Sequence, residues 1–93
     1  MDYQKTAAEI LRLVGGKDNV ATVTHCMTRL RFTLKDRKLA QVEELKKLSG
    51  VQGVVTKNGQ FQIVIGTDVG NLCDAIQKLG NFKDDAAAEQ QGE

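Results

Sequence analysis

Arg29-Leu30-Arg31-Phe32-Thr33-Leu34-Lys35 carries an apolar side chain at every second position. An extended chain turns successive side chains to opposite faces, so Leu30, Phe32 and Leu34 form one apolar face and Arg29, Arg31, Thr33 and Lys35 a basic one. A strand of this kind has to be covered on one side only. Upstream, residues 20–25 set Val20, Thr22 and Thr24 against Ala21, Val23 and His25, and their β-branched content favours a second strand. The short connection His25-Cys26-Met27-Thr28 joins the two.

Helical spacing flanks this pair. Ala7, Ile10, Leu11 and Val14 fall at i, i+3, i+4 and i+7, which predicts an amphipathic helix over residues 3–14. Gly15-Gly16 stops it, because glycine enters the left-handed cap without a Cβ penalty. Beyond Asp36-Arg37-Lys38, the recurrence of Leu39, Val42, Leu45 and Leu48 predicts a second, shorter helix closing near Ser49-Gly50. Residues 51–56 and 60–65 read as strands around Lys57-Asn58-Gly59, where Asn-Gly is a hairpin signal. Gly66-Thr67-Asp68 leads into a third helix that gathers Val69, Leu72, Cys73, Ile76 and Leu79 on one face, with Thr67 or Asp68 as its cap and Gly80-Asn81 as its end.

The order is α-β-β-α-β-β-α. Three amphipathic helices need an apolar surface, and the sheet offers one, so the expected fold is a two-layer α+β sandwich: a four-stranded antiparallel sheet with three helices on one face. Ninety-three residues hold one such domain, placed at 1–82. Residues 83–93, with one lysine against four acids and no apolar period, read as a flexible tail or linker.

Charge and composition exclude several classes. The chain has thirteen Lys+Arg and twelve Asp+Glu, a formal +1, which does not indicate a generic nucleic-acid or membrane-surface binder. Without the lysine and four acids of the tail, residues 1–82 carry twelve bases and eight acids, or +4. No apolar run approaches the ~20 residues of a bilayer span, and no apolar signal segment follows Met1. Two cysteines forty-seven positions apart make no disulfide framework and suit a reducing compartment. Two cysteines and one histidine are too few for a four-ligand structural zinc site.

Chemistry concentrates in His25-Cys26-Met27-Thr28-Arg29-Leu30-Arg31. A cysteine in a tight connection is accessible, and two guanidinium groups on one strand face beside it favour the thiolate. The same guanidinium groups suit a doubly charged phosphoryl group. Thr28 adds a hydroxyl, and successive backbone N–H groups, Met27's included, form an anion-binding nest. The segment reads as a pocket for a phosphoryl group on sulfur. His25 either tunes Cys26 or merely occupies a strand end. Cys73, in the apolar stripe of a helix, reads as core. A phosphatase-type Cys–Arg loop fails on spacing, because Arg31 stands one position short and Phe32 occupies the place required. No C-x-x-C, dinucleotide fingerprint or P-loop is present.

These residues, with Asn19-Val20 before them and Phe32, Leu34-Lys35-Asp36, Gly50-Val51, Gly53-Val54-Val55 and Gly59-Gln60-Phe61-Gln62-Ile63-Val64-Ile65-Gly66 after them, resemble the signature of enzyme IIB domains. The family is the glucose/sucrose/β-glucoside family of the bacterial sugar phosphotransferase system, and the resemblance runs over roughly residues 5–80. It implies a phosphotransferase: Cys26 accepts a phosphoryl group from a histidine of a IIA domain and donates it to a sugar held by a membrane IIC domain. Thr28, Arg29 and Arg31 match the positions flanking the phosphocysteine. His25 before Cys26 brings the chain closer to β-glucoside, sucrose and trehalose branches than to glucose transporters, with β-glucoside favoured. The implied fold has three helices on one face of a four-stranded antiparallel sheet. The implied setting is the cytoplasmic face of a cell-membrane permease, with this domain leading a IIB–IIC or IIB–IIC–IIA polypeptide. No metal or organic cofactor is expected, and the isolated domain is expected to be monomeric. Lys35, Arg37 and Lys38 are candidates for steering an acidic IIA face. The alternative is a non-catalytic regulatory domain, or one gripping nucleic acid through Arg29, Arg31 and Lys35; Phe32, facing the core, would give it no stacking platform.

Overall fold

The computed structural model describes residues 2–57 and 60–80. The expected tail at 83–93 and the Asn58-Gly59 turn lie outside the described residues. The chain runs α1 (Tyr3–Leu13), β1 (Val20–His25), β2 (Arg29–Leu34), α2 (Val42–Lys47), β3 (Gly53–Lys57), β4 (Gln60–Val64) and α3 (Val69–Gly80). Short 3-10 turns at Lys17–Asn19 and Arg37–Leu39 precede β1 and α2.

Asp2 caps α1, its side chain accepting from the Lys5 backbone N–H at 3.1 Å. At the other end Gly15 and Gly16 take φ of +109° and +88°, the left-handed stop expected of the pair. Gly15 has a second reason to be glycine. A Cβ there would stand 2.6 Å from Asn19 Nδ2 and 2.9 Å from Leu39 Cβ. Asn19 is buried, and its amide clamps two turns at once, donating to Val14 O at 2.8 Å and Asp36 O at 2.9 Å while accepting from Asp36 N at 2.9 Å. Gly15→Ala is therefore expected to cost at least about 2 kcal/mol, from the left-handed backbone together with the displaced clamp. Urea unfolding checks this, and an unchanged midpoint would contradict it.

The sheet order is β1-β2-β4-β3, every neighbouring pair antiparallel. The connection through α2 carries the chain past one strand position, so β3 lies at the far edge and β4 returns between β3 and β2. Val23, Leu30, Phe32, Phe61 and Ile63 of the sheet join Ala7, Ile10 and Leu11 of α1, Leu45 of α2, and Leu72, Cys73 and Ile76 of α3 in one buried cluster. This is the expected α+β sandwich. The apolar alternation of β2 is reproduced residue for residue, with Leu30 and Phe32 fully buried.

Two local expectations need correction. The strict alternation of β1 is broken, because Val20 and Val23 are both buried. Val20 pairs with Leu34 and Thr22 with Thr33, so Ala21 is an extra residue that bulges the strand and turns both valines inward. The second helix does not begin at Leu39, which sits in a 3-10 turn, 51% exposed. Asp36 caps that turn through Lys38 N, and the Gln41 backbone N–H is drawn to Leu13 O at 2.7 Å, so helical bonding starts only at Val42. Asp68, directly before α3, accepts from the Tyr3 hydroxyl at 2.9 Å and so ties the starts of α1 and α3 together. No helix among the described residues is long and apolar enough to cross a membrane.

Candidate functional site

The β1–β2 connection is a tight loop closed by its own backbone. Cys26 N donates to Arg29 O at 2.9 Å. The far side is pinned from the strand end of β4, where Ile65 N and Gly66 N both donate to Thr28 O, at 2.8 and 2.9 Å. Gly66 takes φ of +115°, which allows two successive N–H groups to converge on one carbonyl. Hydrogen bonding to β4 and its exit thus shapes the loop.

Within it, Cys26 is partly exposed. Burial by itself pushes its thiol up, but the backbone N–H groups of Arg29 and Thr28 and the Arg31 guanidinium together hold it below its ordinary value. The Arg31 guanidinium favours the thiolate both by its charge and as a nearby donor. Two backbone N–H groups and a guanidinium of this kind favour negative charge on sulfur.

The structure separates the two arginines. Both project from the face opposite the helices, but only Arg31, paired across β1 with Thr24, acts on the sulfur through its side chain. Arg29 is half-buried and donates from Nη1 to Gln62 Oε1 at 3.1 Å, and it serves Cys26 through its backbone N–H. Gln62 is a residue that reading along the chain missed. It is buried, stands directly across from Arg31 in the β2–β4 ladder, and donates to Gln60 Oε1 at 3.3 Å. Its signal was the polar alternation Gln60, Gln62, which says which face it occupies but not which strand it will meet. Met27 stands at the loop tip, 90% exposed, and Thr28 is also exposed. His25 accompanies the loop, its Nδ1 at 2.9 Å from Cys26 O.

Lys35, Arg37 and Lys38 are not part of this pocket. They line a separate cavity of about 470 Å³ with Thr56 and Phe61, beyond the opposite end of β2 from Cys26. Any influence on a partner at Cys26 would be long-range. Among the described residues no cluster of His, Cys, Asp or Glu could hold a metal ion. Phe32 is wholly buried, so the nucleic-acid alternative has no stacking ring from this strand.

Cys73 belongs to the core, and burial pushes its thiol up to about 11. The two thiols are thus expected to differ sharply in reactivity. Iodoacetamide should modify Cys26 first, with a rate that rises at lower pH than for a free cysteine and falls as pH drops through the lowered value. Cys73 should react only on unfolding. The unfolded chain loses this proton near the ordinary value of 9.0, so the protonated thiol's contribution to stability is complete below that pH and fades as pH rises toward 11. Peptide mapping after timed alkylation at several pH values checks both; equal labelling of the two cysteines in the folded protein would contradict them.

With this geometry in place, similarity to known proteins is specific. A structure of one domain of the PTS system IIabc component from Clostridium difficile superposes with a TM-score of 0.81 at 35% identity, covering 98% of this chain and 95% of that one. The family profile of the phosphotransferase system, EIIB, matches residues 8–41. The chain is 48% identical over 88 residues to the PTS system beta-glucoside-specific EIIBCA component of Bacillus subtilis (strain 168), covering 95% of this chain. It is also 49% identical over 67 residues to the trehalose-specific EIIBC component of Escherichia coli (strain K12), covering 72% of this chain. By fold, then, it is an α+β sandwich of the kind found in PTS components. The chain belongs to the EIIB family of the phosphotransferase system. It spans 14% of the length of each of these two relatives.

Proposed function

We propose that this domain is the phosphoryl relay of a sugar permease, with Cys26 as the carrier. In the first half-reaction the Cys26 thiolate attacks phosphorus in line. The bond to an imidazole nitrogen of a IIA-domain histidine breaks as the phosphorus–sulfur bond forms. In the second, a hydroxyl of a sugar held by a membrane IIC domain attacks and releases its proton to solvent, the phosphorus–sulfur bond breaks, and the thiolate returns. Neither half-reaction requires a metal or organic cofactor from the residues present.

The observation that carries the reading is the partly exposed Cys26 in a loop closed by Cys26 N on Arg29 O and pinned through Thr28 O, where the Arg29 and Thr28 N–H groups and the Arg31 guanidinium lower its thiol. Fixed donors around the equatorial oxygens supply the positioning and charge that phosphoryl transfer asks of a protein. The relatives named as fused EIIBCA components support IIA and IIC as partners, and the beta-glucoside specificity in three of those names supports a β-glucoside as the sugar. In this reading the domain occupies residues 1–82 on the cytoplasmic face of the permease, and residues 83–93 lead toward the next domain.

The test is to incubate the chain with phosphorylated IIA protein and map the modified peptide by mass spectrometry. Phosphate on Cys26 is the expected result. Phosphate on Cys73, or none with several cognate donors, would overturn the assignment.

A further inference from the structure

The loop that presents Cys26 is held at three points. Two are made by backbone alone: Cys26 N on Arg29 O, and Thr28 O under the Ile65 and Gly66 N–H groups. The third is a side chain, His25, whose Nδ1 lies 2.9 Å from Cys26 O. A carbonyl oxygen only accepts, so Nδ1 carries the hydrogen, as it does in the imidazolium ion and in one of the two neutral tautomers. The ring lies near Gly70 at the start of α3, where an added Cβ would come 3.7 Å from Cε1 and 3.9 Å from Nε2. The hydrogen bond to Cys26 O is what orients the exposed ring.

A peptide unit is planar, so holding the Cys26 carbonyl fixes the whole plane between Cys26 and Met27. The plane between Thr28 and Arg29 is already held through Thr28 O, so the Thr28 N–H, between the two planes, is the donor to Cys26 whose placement depends on the Cys26 carbonyl. Releasing the carbonyl frees that plane to rotate and carries the Thr28 N–H away from the Arg29 N–H, which stays in place because it shares a peptide plane with the pinned Thr28 carbonyl.

We propose that His25 is a positioning residue for Cys26, acting through Nδ1–H on the Cys26 carbonyl rather than as an acid or base through Nε2. The inference rests on Cys26 being the phosphoryl carrier, but its first readout is the thiol of this chain alone, so the two ideas fail separately. Asparagine and glutamine distinguish the two ring nitrogens. The Asn side-chain nitrogen occupies the place of Nδ1, and the Gln nitrogen lies one bond further out, near the place of Nε2.

The experiment measures alkylation of Cys26 against pH in His25→Leu, His25→Asn and His25→Gln, with thermal midpoints showing that each is folded. In His25→Leu the alkylation midpoint should rise by about half a pH unit as the Thr28 N–H moves away. Phosphoryl acceptance from phosphorylated IIA should slow about three- to tenfold, the rate equivalent of one lost hydrogen bond. His25→Asn should stay within about twofold of the parent in both measurements, and His25→Gln should behave like His25→Leu. If His25→Leu matches the parent, or if His25→Gln restores what His25→Asn does not, the proposal is overturned.

Discussion

Replacing Cys26 by serine is expected to abolish phosphoryl passage through the domain, a loss of at least about a thousandfold. The nest and Arg31 hold the Cys26 thiol below its ordinary value and so enrich the nucleophilic thiolate. A serine hydroxyl in the same nest ionises far less near neutral pH, and a phosphate ester on oxygen is a poorer relay than one on sulfur. The control is Cys73→Ser, which places a hydroxyl in the core and should cost about 1–3 kcal/mol of stability while leaving transfer intact. Radiolabelled phosphate followed from IIA to sugar measures both variants. Undiminished relay in Cys26→Ser would remove the cysteine from the mechanism.

The second large effect is expected from Arg31→Lys. Lysine keeps the charge but loses the planar fork that can engage two phosphoryl oxygens together. In accepting phosphate, the donor site brings groups of its own, so Arg31→Lys should still become phosphorylated. In giving it up, the phosphocysteine must be held in one orientation toward the sugar hydroxyl. Losing one charge-assisted contact of about 1.5–3 kcal/mol there corresponds to a discharge roughly ten- to a hundredfold slower. The position of Arg29 separates it from this outcome. Its guanidinium is tied to Gln62 at 3.1 Å, and its backbone N–H, which faces the sulfur, survives the change to lysine. Arg29→Lys should therefore discharge faster than Arg31→Lys. Loading each variant with labelled phosphate and adding membranes with the IIC domain and its sugar measures this. Normal discharge from Arg31→Lys would reduce the arginine to a solvated side chain and leave Cys26 with the backbone nest.

The legible part of this protein was whatever depends on neighbours within a few residues. Leu30, Phe32 and Leu34 announce a half-covered strand because side chains of an extended chain alternate, and Ala7, Ile10 and Leu11 announce a helix because its turn is 3.6 residues. Cys26 stood out for the same reason: it lies in a short connection, with an arginine five positions on that alternation keeps on the open face. The extent of the second helix was less legible. Leu39 fits the apolar spacing, but the hydrogen bond from Gln41 to Leu13, twenty-eight positions away, competes with helical bonding there.

What the sequence determined by itself was the kind and order of the elements, the side of the sheet to be covered, and the short connection that holds Cys26. Tertiary structure alone decided that β4 lies beside β2, which sets Gln62 against the arginines and brings the Ile65 and Gly66 N–H groups under the Cys26 loop. It also decided that Ala21 bulges from β1 and that the Arg31 guanidinium favours the Cys26 thiolate while that of Arg29 is held by Gln62. The physical reason is the range of the forces involved. Periodicity records which face of a segment avoids water, whereas strand order and register are settled by pairing between segments some thirty residues apart, after the chain has turned through α2 and closed its core.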